Sequence, residues 1–299
     1  MVGWLAGLSL AHKRAVWAWT FLAVPIVFFV VVRFWPAVYA FSLSLTRWNL
    51  VGPKQFIGLD NYNQLLRDPV FWHVLGNTFE YLLLGLPISL ALSFIIAFWL
   101  DRVQSGHGLL RALYFLPHLT TATAMAWVWR WFYQPAPVGL FNAWLSALSL
   151  PQQPFLRSTA QALPAVLVPA VWAAIGFQVI IFLAGLKAIP RSYYEAAAID
   201  GAGGAQVLRE ITLPLLLPSF VFLFVTTSIG LLRIFDQVYN MTAGGNGGPL
   251  NSTRPLVLSI YQSAFASMQM GYASAQTVVL FVILLVLSLL QLRLLRARP

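Results

Sequence analysis

The chain has 299 residues, of which 60% are hydrophobic and 9% are charged, whereas soluble globular proteins average about 45–50% and about 25%. Its 18 Lys and Arg and 8 Asp and Glu are too few to coat a water-facing surface, so composition excludes a soluble domain and indicates a protein that lies in lipid. The absence of cysteine excludes disulfide bonds and thiolate metal sites, and four scattered histidines argue against a histidine metal cluster.

Six apolar segments are long enough to cross a membrane as helices, since about 20 residues span a hydrocarbon core about 30 Å thick. They lie at about residues 15–35, 78–100, 110–132, 162–186, 213–235 and 272–293. The predicted fold class is therefore an all-α integral membrane protein with six transmembrane helices, forming a single transmembrane domain over residues 1–299. Glu80 is the only acidic residue within these segments and lies near one end of its helix, where it can reach the membrane interface.

The basic residues predict the orientation of the chain. With a cytoplasmic N-terminus, ten of them face the cytoplasm: Lys13, Arg14, Arg102, Arg111, Lys187, Arg191, Arg209, Arg293, Arg296 and Arg298. Six lie outside: Arg47, Lys54, Arg67, Arg130, Arg157 and Arg254. We therefore expect a multi-pass protein of the cytoplasmic (inner) membrane with both termini cytoplasmic. The net charge of +10 then serves membrane insertion, and no nucleic-acid partner is expected.

The first segment follows Lys13 and Arg14 as the apolar part of a signal peptide would. It is long enough to span the membrane and ends near Pro36 without a small-residue cleavage site, so we expect an uncleaved anchor. Residues 41–77 contain several turn-forming residues and are expected to cap the outer face. Residues 255–270 are apolar but short for a span, which predicts a partly inserted outer helix.

The connection between the fourth and fifth segments, residues 187–214, predicts a cytoplasmic helix-turn-helix. Pro190 can open a first helix and Ser192 can cap it. Glycines at 201, 203 and 204 then break that helix, and a second short helix is expected to end before Pro214. Its small side chains would let another surface approach closely. From this pattern alone, the hairpin is either a docking element or a plain amphipathic connection between two spans.

The residues of this connection match a known family. Glu195-Ala196-Ala197, Asp200-Gly201-Ala202 and Ile211-Thr212-Leu213-Pro214, preceded by Ile189-Pro190 and Tyr194, resemble the EAA loop of binding-protein-dependent ABC importer permeases. The Asp-Gly-Ala form resembles the carbohydrate-uptake branch, which contains the maltose and glycerol-3-phosphate systems, and within it the first permease. The resemblance extends over most of the chain, through Gly58–Tyr62, Asn77-Thr78, Trp127–Trp131, Asp236–Tyr239 and Gly271–Ala275.

The resemblance implies the type I permease fold of ABC importers and a docking surface for a cytoplasmic ATPase. The docking residues it implies are Tyr194, Glu195, Ala196, Ala197, Asp200, Gly201, Ile211 and Pro214. It also implies a second homologous permease subunit, two copies of the ATPase, and an extracytoplasmic solute-binding protein. The chain has no Gly-x4-Gly-Lys-Ser/Thr loop, so we expect no cofactor and no enzyme activity here, with ATP and Mg bound by the partner ATPase.

The glycine-rich stretch 242–249 lacks the Lys-Ser/Thr ending of a phosphate-binding loop and is expected to face outside. We therefore interpret it as a surface that meets the binding protein. Sugars bind through aromatic faces and polar side chains, and two segments carry such groups. The predicted substrate-path residues are Trp172, Phe177, Gln178, Thr226, Thr227 and Ser228. Ordinary helix packing explains them equally well.

Two further expectations concern polar residues near the membrane. Arg233 and Asp236 are expected to form an ion pair at the membrane interface; the alternatives are contact with the external binding protein and no partner at all. Threonines 120, 121 and 123 are expected to bond carbonyl groups freed by a helix kink at Pro117, and the alternative is that they line a cavity. An intramembrane enzyme or a channel is the alternative function, although the sequence contains neither a His-Glu-x-x-His motif nor an evident selectivity filter. The solute is predicted only as a sugar or a related polyol or sugar phosphate.

Overall fold

The structure is a computed structural model that describes residues 9–103, 107–242 and 245–296. Arg298 and residues 243–244, which entered the predictions above, lie outside these ranges. The helices are α1 (Leu10–Phe29), α2 (Trp35–Ser44), α3 (Asp60–Arg67), α4 (Pro69–Leu100), α5 (His107–Leu119), α6 (Ala122–Phe132), α7 (Leu140–Ala147), α8 (Ala162–Ala188), α9 (Arg191–Ile199), α10 (Gly204–Val207), α11 (Leu213–Leu215), α12 (Leu217–Leu232), α13 (Asp236–Met241), α14 (Leu256–Tyr261) and α15 (Met270–Arg296). Strands β1 (Thr46–Arg47) and β2 (Gln55–Phe56) form a two-residue antiparallel pair that the all-α prediction did not include.

Four helical segments of the described chain are long and apolar enough to cross a membrane. They are Leu10–Ser44, Pro69–Leu100, Ala162–Ala188 and Met270–Arg293. Gly204–Leu215 and Leu217–Leu232 add a fifth candidate if the two helices, which meet at a bend of 62°, form one span. The architecture is thus an all-helical membrane protein with four to five candidate spans by length and composition.

The first helical segment runs beyond the predicted end near residue 35. A π turn, Val30–Phe34, joins α1 to α2, and Pro36 lies in the first turn of α2. Proline is tolerated there because an N–H group in the first turn has no intrahelical partner to lose. Similarly, the second segment starts at Pro69 rather than near residue 78, with the carboxylate of Asp68 accepting a 2.8 Å hydrogen bond from the N–H of Val70.

The third predicted segment, 110–132, is interrupted in the structure. Helix α5 ends at Leu119 and α6 begins at Ala122, and neither is long enough to span a membrane alone. The hydroxyl of Thr120 donates to the carbonyl of Leu116 at 3.2 Å, and that of Thr121 accepts from the N–H of Ala124 at 3.4 Å. Thr120 thus satisfies a carbonyl group, as expected of a kink, whereas Thr121 caps the start of α6, and the break lies after Leu119 rather than at Pro117.

The predicted outer helix over residues 255–270 is shorter in the structure. Helix α14 continues through a π turn, Gln262–Ala266, and the helix then stops. Met268 has a φ of 56°, a left-handed conformation that interrupts a right-handed helix. The apolar helix is therefore Leu256–Ala266, and it is not long enough to pass the length criterion for a span.

The chain divides into two compact units, residues 1–65 with 263–278 and residues 66–262 with 279–299. In the first unit, the amide of Asn61 donates hydrogen bonds to the carbonyls of Ser44 and Thr46, at 2.7 and 2.9 Å. The N–H of Met270 donates to the carbonyl of Trp48 at 3.0 Å. Asn61 lies in the Gly58–Tyr62 motif, so this part of the family resemblance corresponds to a clamp that fixes the end of α2.

The second unit is organised around helices α4, α8 and α12, which pack against one another, with α5, α6 and α13 against them. An aromatic cluster joins the three central helices. The ring centroid of Phe94 lies 5.7 Å from that of Phe182 and 5.4 Å from that of Phe220, and the last two are 4.6 Å apart. Aromatic pairs at these separations stabilise beyond simple burial. This core carries both candidate sites described below.

Candidate functional site

The cytoplasmic connection predicted as a docking element forms a helical hairpin, which we call the docking hairpin (residues 187–215). Helix α9 is its first arm, and Pro190, rather than Ser192, precedes the helix; Ser192 lies inside its first turn. The second arm does not end before Pro214. It runs from α10 through a π turn, Leu208–Thr212, into α11. The π turn places Pro214 in the first turn of the segment that follows, where its missing N–H breaks no helical hydrogen bond.

Gly201 ends the first arm in a geometry that requires glycine. Its φ is 72°, and the N–H of Gly201 donates to the carbonyl of Ala198 at 3.2 Å while the N–H of Ala202 donates to that of Ala197 at 2.9 Å. This pair of bonds is a Schellman motif, in which the residue after the C-cap takes a left-handed conformation. No atom lies within 4 Å of the position of a Cβ on Gly201, so the backbone angle alone selects glycine there.

The side chains of the first arm divide into an exposed and a buried set. Glu195, Ala196 and Asp200 are exposed, whereas Ala197 is buried. Ile199 is 87% exposed, although it is a large aliphatic residue at the tip of the hairpin. Ile199 does not stand out in the sequence, because many apolar residues flank the hairpin. Its exposure becomes evident only once the end of α9 is known.

The two arms of the docking hairpin contact each other. The hydroxyls of Tyr194 and Thr212 lie 3.4 Å apart, Thr212 is buried, and Ile211 is half-buried. Pro214 is exposed and lines an apolar groove of about 1010 Å³ with Arg209 and several residues of α12. Thus Tyr194, Ala197 and Ile211 position the hairpin, while Glu195, Ala196 and Asp200 present a thin, charged surface.

Four of the six predicted substrate-path residues meet at one cavity of about 420 Å³, which we call the membrane cavity. Phe177, Gln178, Thr226 and Thr227 all line it. The other polar or ionisable side chains at its wall are Ser89, His118, Arg233, Asp236 and Gln237. An aromatic face, amides, hydroxyls and charges of both signs are groups that bind polyhydroxylated molecules.

Gln178 has a second role, as the centre of a buried polar network between three helices. It is 2% exposed, its Oε1 accepts from the hydroxyl of Ser93 at 2.7 Å, and its Nε2 donates to the hydroxyl of Thr227 at 3.0 Å. A longer contact of 3.5 Å joins Nε2 to the hydroxyl of Ser89. The amide therefore links α8 to α4 and α12 at the wall of the membrane cavity.

Ser228 and Trp172 do not line the membrane cavity. Ser228 is fully buried, donates to the carbonyl of Phe224 at 2.6 Å and accepts from Nε2 of Gln291 at 2.9 Å, so it joins α12 to α15. Trp172 lies in an edge contact with Trp129, at a centroid distance of 5.7 Å. Ser228 therefore serves in helix packing, whereas Trp172 remains 44% exposed.

The ion pair expected between Arg233 and Asp236 is absent. Both side chains are exposed and line the membrane cavity, and neither forms an ion pair with another residue in the described ranges. Arg233 follows the last residue of α12 and Asp236 begins α13, so they do not share the continuous helix that a three-residue spacing needs to bring side chains together. His118 stacks on Phe177 with ring centroids 5.6 Å apart and completes the aromatic wall.

The loop after α13 is fixed to the top of α4. The amide of Asn77 donates to the carbonyls of Asn251 and Arg254, at 2.7 and 3.1 Å. The hydroxyl of Tyr81 donates to the carbonyl of Thr253 at 2.9 Å. The hydroxyl of Thr78 accepts from the N–H of Leu256 at 2.8 Å. The Asn77-Thr78 motif thus has a structural role: it holds residues 251–256, which follow the glycine-rich stretch 242–249. Across the described ranges, no group of three or more histidine, aspartate or glutamate side chains could hold a metal ion.

These features define a multi-pass membrane protein with a helical hairpin between two of its long helices and a cavity among its central helices. Residues 78–298 match the family of inner membrane components of binding-protein-dependent transport systems, and the chain belongs to that family. It is the permease component of such a system, not its ATPase. The family predicted from the EAA-like residues is confirmed.

Among individual relatives, the chain is 34% identical to the sn-glycerol-3-phosphate transport system permease protein UgpA of Brucella abortus, over 93% of this chain and 94% of the relative. It is 35% identical to the multiple sugar-binding transport system permease protein MsmF of Streptococcus mutans, with the same coverage. The fold is similar to a chain of the bacterial alginate ABC transporter in complex with alginate pentasaccharide-bound periplasmic protein, with a TM-score of 0.82, 23% identity and 93% of each chain covered.

Proposed function

We propose that this permease moves a sugar, or a related polyol or sugar phosphate, into the cell, driven by a partner ATPase that docks on the docking hairpin. The relatives named for glycerol 3-phosphate and for multiple sugars support this solute class. The lining of the membrane cavity agrees with it, since the stacked rings of His118 and Phe177 offer an apolar face beside hydrogen-bonding side chains.

The membrane topology that we propose has six spans and two cytoplasmic termini. Helices α5 and α6 together cover residues 107–132 and form the third span despite their break, as broken helices are tolerated where protein buries the freed backbone groups. The bent pair of α10–α11 and α12 forms the fifth span. With this count, residues 46–67 lie outside, and the docking hairpin lies in the cytoplasm, where the excess of basic residues predicts it.

The observation that carries the docking proposal is the exposure of Glu195, Ala196 and Ile199 on an arm that a Schellman turn terminates. A helix with small side chains fits a narrow cleft, and Glu195 offers a charge for a basic group of the ATPase. We propose two copies of the ATPase, which bind ATP and Mg, one for this chain and one for a second homologous permease. An extracytoplasmic solute-binding protein delivers the solute, as the periplasmic protein in the alginate transporter complex suggests by analogy.

The structure offers a mechanical connection from the docking hairpin to the membrane cavity. The second arm continues through the bend after Leu215 into α12, and α12 carries Thr226 and Thr227 at the cavity wall. A rigid-body movement of the hairpin, imposed by closure of the ATPase pair, would therefore displace one wall of the cavity relative to α8. In this mechanism the chain performs no covalent chemistry; it converts the movement of a partner into access from alternate sides.

Uptake by reconstituted vesicles tests the proposal. The complex is purified through a tag on this chain and reconstituted, and a periplasmic extract of the native host supplies binding proteins. Radiolabelled maltose, maltotriose and sn-glycerol 3-phosphate are then offered with ATP inside or outside the vesicles. We expect uptake of at least one solute that depends on ATP at the hairpin side and stops with vanadate. Solute flux that continues without ATP would contradict the proposal and favour a channel.

A further inference from the structure

A second polar pocket lies in the unit formed by residues 1–65 and 263–278, apart from the membrane cavity in sequence and composition. Its volume is about 440 Å³, within the range of about 300–1,000 Å³ that is typical of small-molecule sites. The lining is unusually rich in side-chain amides, with Asn49, Gln55, Gln64 and Gln269 among them. We call it the outer pocket, since the proposed topology places residues 46–67 outside.

The backbone around the outer pocket is fixed by hydrogen bonds. Besides the Asn61 clamp and the bond from Met270 to Trp48, the N–H of Ile57 donates to the carbonyl of Leu45 at 2.9 Å. The start of α15 approaches the first strand so closely that a Cβ on Gly271 would lie 1.9 Å from the carbonyl oxygen of Thr46. The pocket is therefore a built cavity whose walls are held before any ligand arrives, which lowers the entropic cost of binding.

The side chains that face a ligand are polar and unused. Those of Gln55, Gln64 and Gln269 are exposed and form no hydrogen bond with another residue of the described ranges, and Arg47 forms no ion pair there. Trp48 is held in one orientation, because its indole N–H donates to the carbonyl of Gly52 at 3.2 Å and the ammonium of Lys54 lies 4.4 Å from its ring centroid. None of the described residues that line the pocket is acidic.

This combination selects one class of ligand. Amide side chains offer both donors and acceptors, which match hydroxyl groups, and an ordered aromatic side chain matches the C–H face of a sugar ring. Arg47, without a carboxylate among the lining residues, additionally favours a neutral or anionic solute over a cationic one. A purely apolar ligand would leave the amides unpaired and is disfavoured.

We propose that the outer pocket is an accessory saccharide site, where a neutral or anionic polyhydroxylated solute binds at the outer surface before or apart from its passage through the membrane cavity. The assignment rests on the proposed topology and solute class, but it concerns a different site. An exposed pocket of this kind is expected to bind weakly, with a Kd on the order of 1 mM.

Hydroxyl-radical footprinting of the complete complex in nanodiscs, read by mass spectrometry, tests the proposal locally. Maltotriose and sn-glycerol 3-phosphate are added separately, without binding protein. Oxidation of Trp48 is compared with that of Trp144, an exposed residue of α7 that corrects for radicals consumed by the solute. We expect one of these probes to slow Trp48 oxidation about twofold at a concentration equal to its Kd. A positive result with maltotriose identifies a neutral sugar site, and one restricted to sn-glycerol 3-phosphate assigns the contact to Arg47.

A matched pair of variants distinguishes binding from a general change of shape. Gln64 lines the outer pocket, whereas its exposed neighbour Asn63 does not. Protection of Trp48 should disappear in the Gln55→Ala/Gln64→Ala variant and persist in Asn63→Ala. No protection of Trp48 by either probe would overturn the proposal. ATP-dependent uptake by the same preparations, measured in parallel, reports on the proposed transport function independently of the outer pocket.

Discussion

The hydroxyl of Ser93 in α4 donates a 2.7 Å hydrogen bond to the amide oxygen of Gln178 in α8, between two side chains that are almost fully buried. The same amide donates to Thr227 of α12, so one side chain joins the three central helices of the second unit. A buried amide with both ends satisfied fixes the relative positions of the helices, because every alternative register leaves a polar group unpaired. Because Gln178 lines the membrane cavity, this hydrogen-bonded contact between the three helices lies at the cavity wall.

Replacement of Gln178 by leucine should therefore destabilise the protein and alter transport. We expect a loss of about 1–2 kcal/mol in unfolding free energy, since two interhelical hydrogen bonds disappear in an apolar environment. Thr226→Val is the matched control, because Thr226 lines the same cavity but donates its hydroxyl to its own helix, at the carbonyl of Phe222. Thermal unfolding of the purified complex measures the difference; equal midpoints for the two variants would contradict a role for Gln178 as a joint.

The glycines of the docking hairpin provide a sharper comparison. Gly201 and Gly203 both have open space where a Cβ would lie, but φ is 72° at Gly201 and −73° at Gly203. Gly201→Ala should cost about 1–2 kcal/mol in the turn, the usual penalty for a left-handed alanine. Gly203→Ala should cost little. We expect ATP-dependent uptake to fall by up to about tenfold in the first variant only, corresponding to about 1.4 kcal/mol. Equal effects of the two substitutions would contradict a role of the left-handed backbone angle at Gly201 in the turn.

Much of the fold is visible in the sequence because lipid imposes long apolar segments. What the sequence conceals is how prolines are accommodated: Pro36 and Pro214 were expected to end helices, yet each follows a π turn that absorbs the missing hydrogen bond. The buried side of α8 was also hidden, since its residues are apolar on nearly every face. Hence Gln178 and Trp172 are equivalent candidates in the sequence, and only the structure shows that Gln178 lines the membrane cavity and Trp172 does not.

The docking hairpin shows the complementary case. The glycine at 201 and the small residues before it indicated a turn and a thin helix, and the structure has both. Nothing in the sequence distinguishes Ile199, because an isoleucine beside a membrane segment is ordinary. Its exposure depends on where α9 ends, and helix ends are the least predictable part of a helix.

Charge reversal at Glu195 tests whether the docking hairpin binds a basic surface of the ATPase. In the Glu195→Lys variant we expect loss of uptake and of co-purified ATPase, because reversing one member of a charge pair at an interface costs about 2–5 kcal/mol or more. Glu210→Lys is the control: Glu210 is also exposed, but it lies on the second arm, where it accepts a 3.3 Å hydrogen bond from Gln206. Membrane insertion should be normal in both variants. Retention of the ATPase by Glu195→Lys at the level of Glu210→Lys would remove Glu195 from the docking surface.

Ile199 is expected to be an apolar anchor of the same interface. Ile199 is 87% exposed, and burial of such a side chain by a partner would contribute about 1.5–3 kcal/mol to the binding free energy. Ile199→Ser should thus weaken ATPase binding by at least about tenfold, while the thermal stability of the permease stays unchanged because the side chain contributes little to its interior. Val51→Ser provides the comparison, as Val51 is 90% exposed but lies between β1 and β2, outside the cell membrane in the proposed topology. Titration of the ATPase onto nanodiscs with each variant gives both affinities. If the two serine variants bind the ATPase equally well, Ile199 faces water in the assembled transporter, and Glu195 and its small neighbours carry the contact without it.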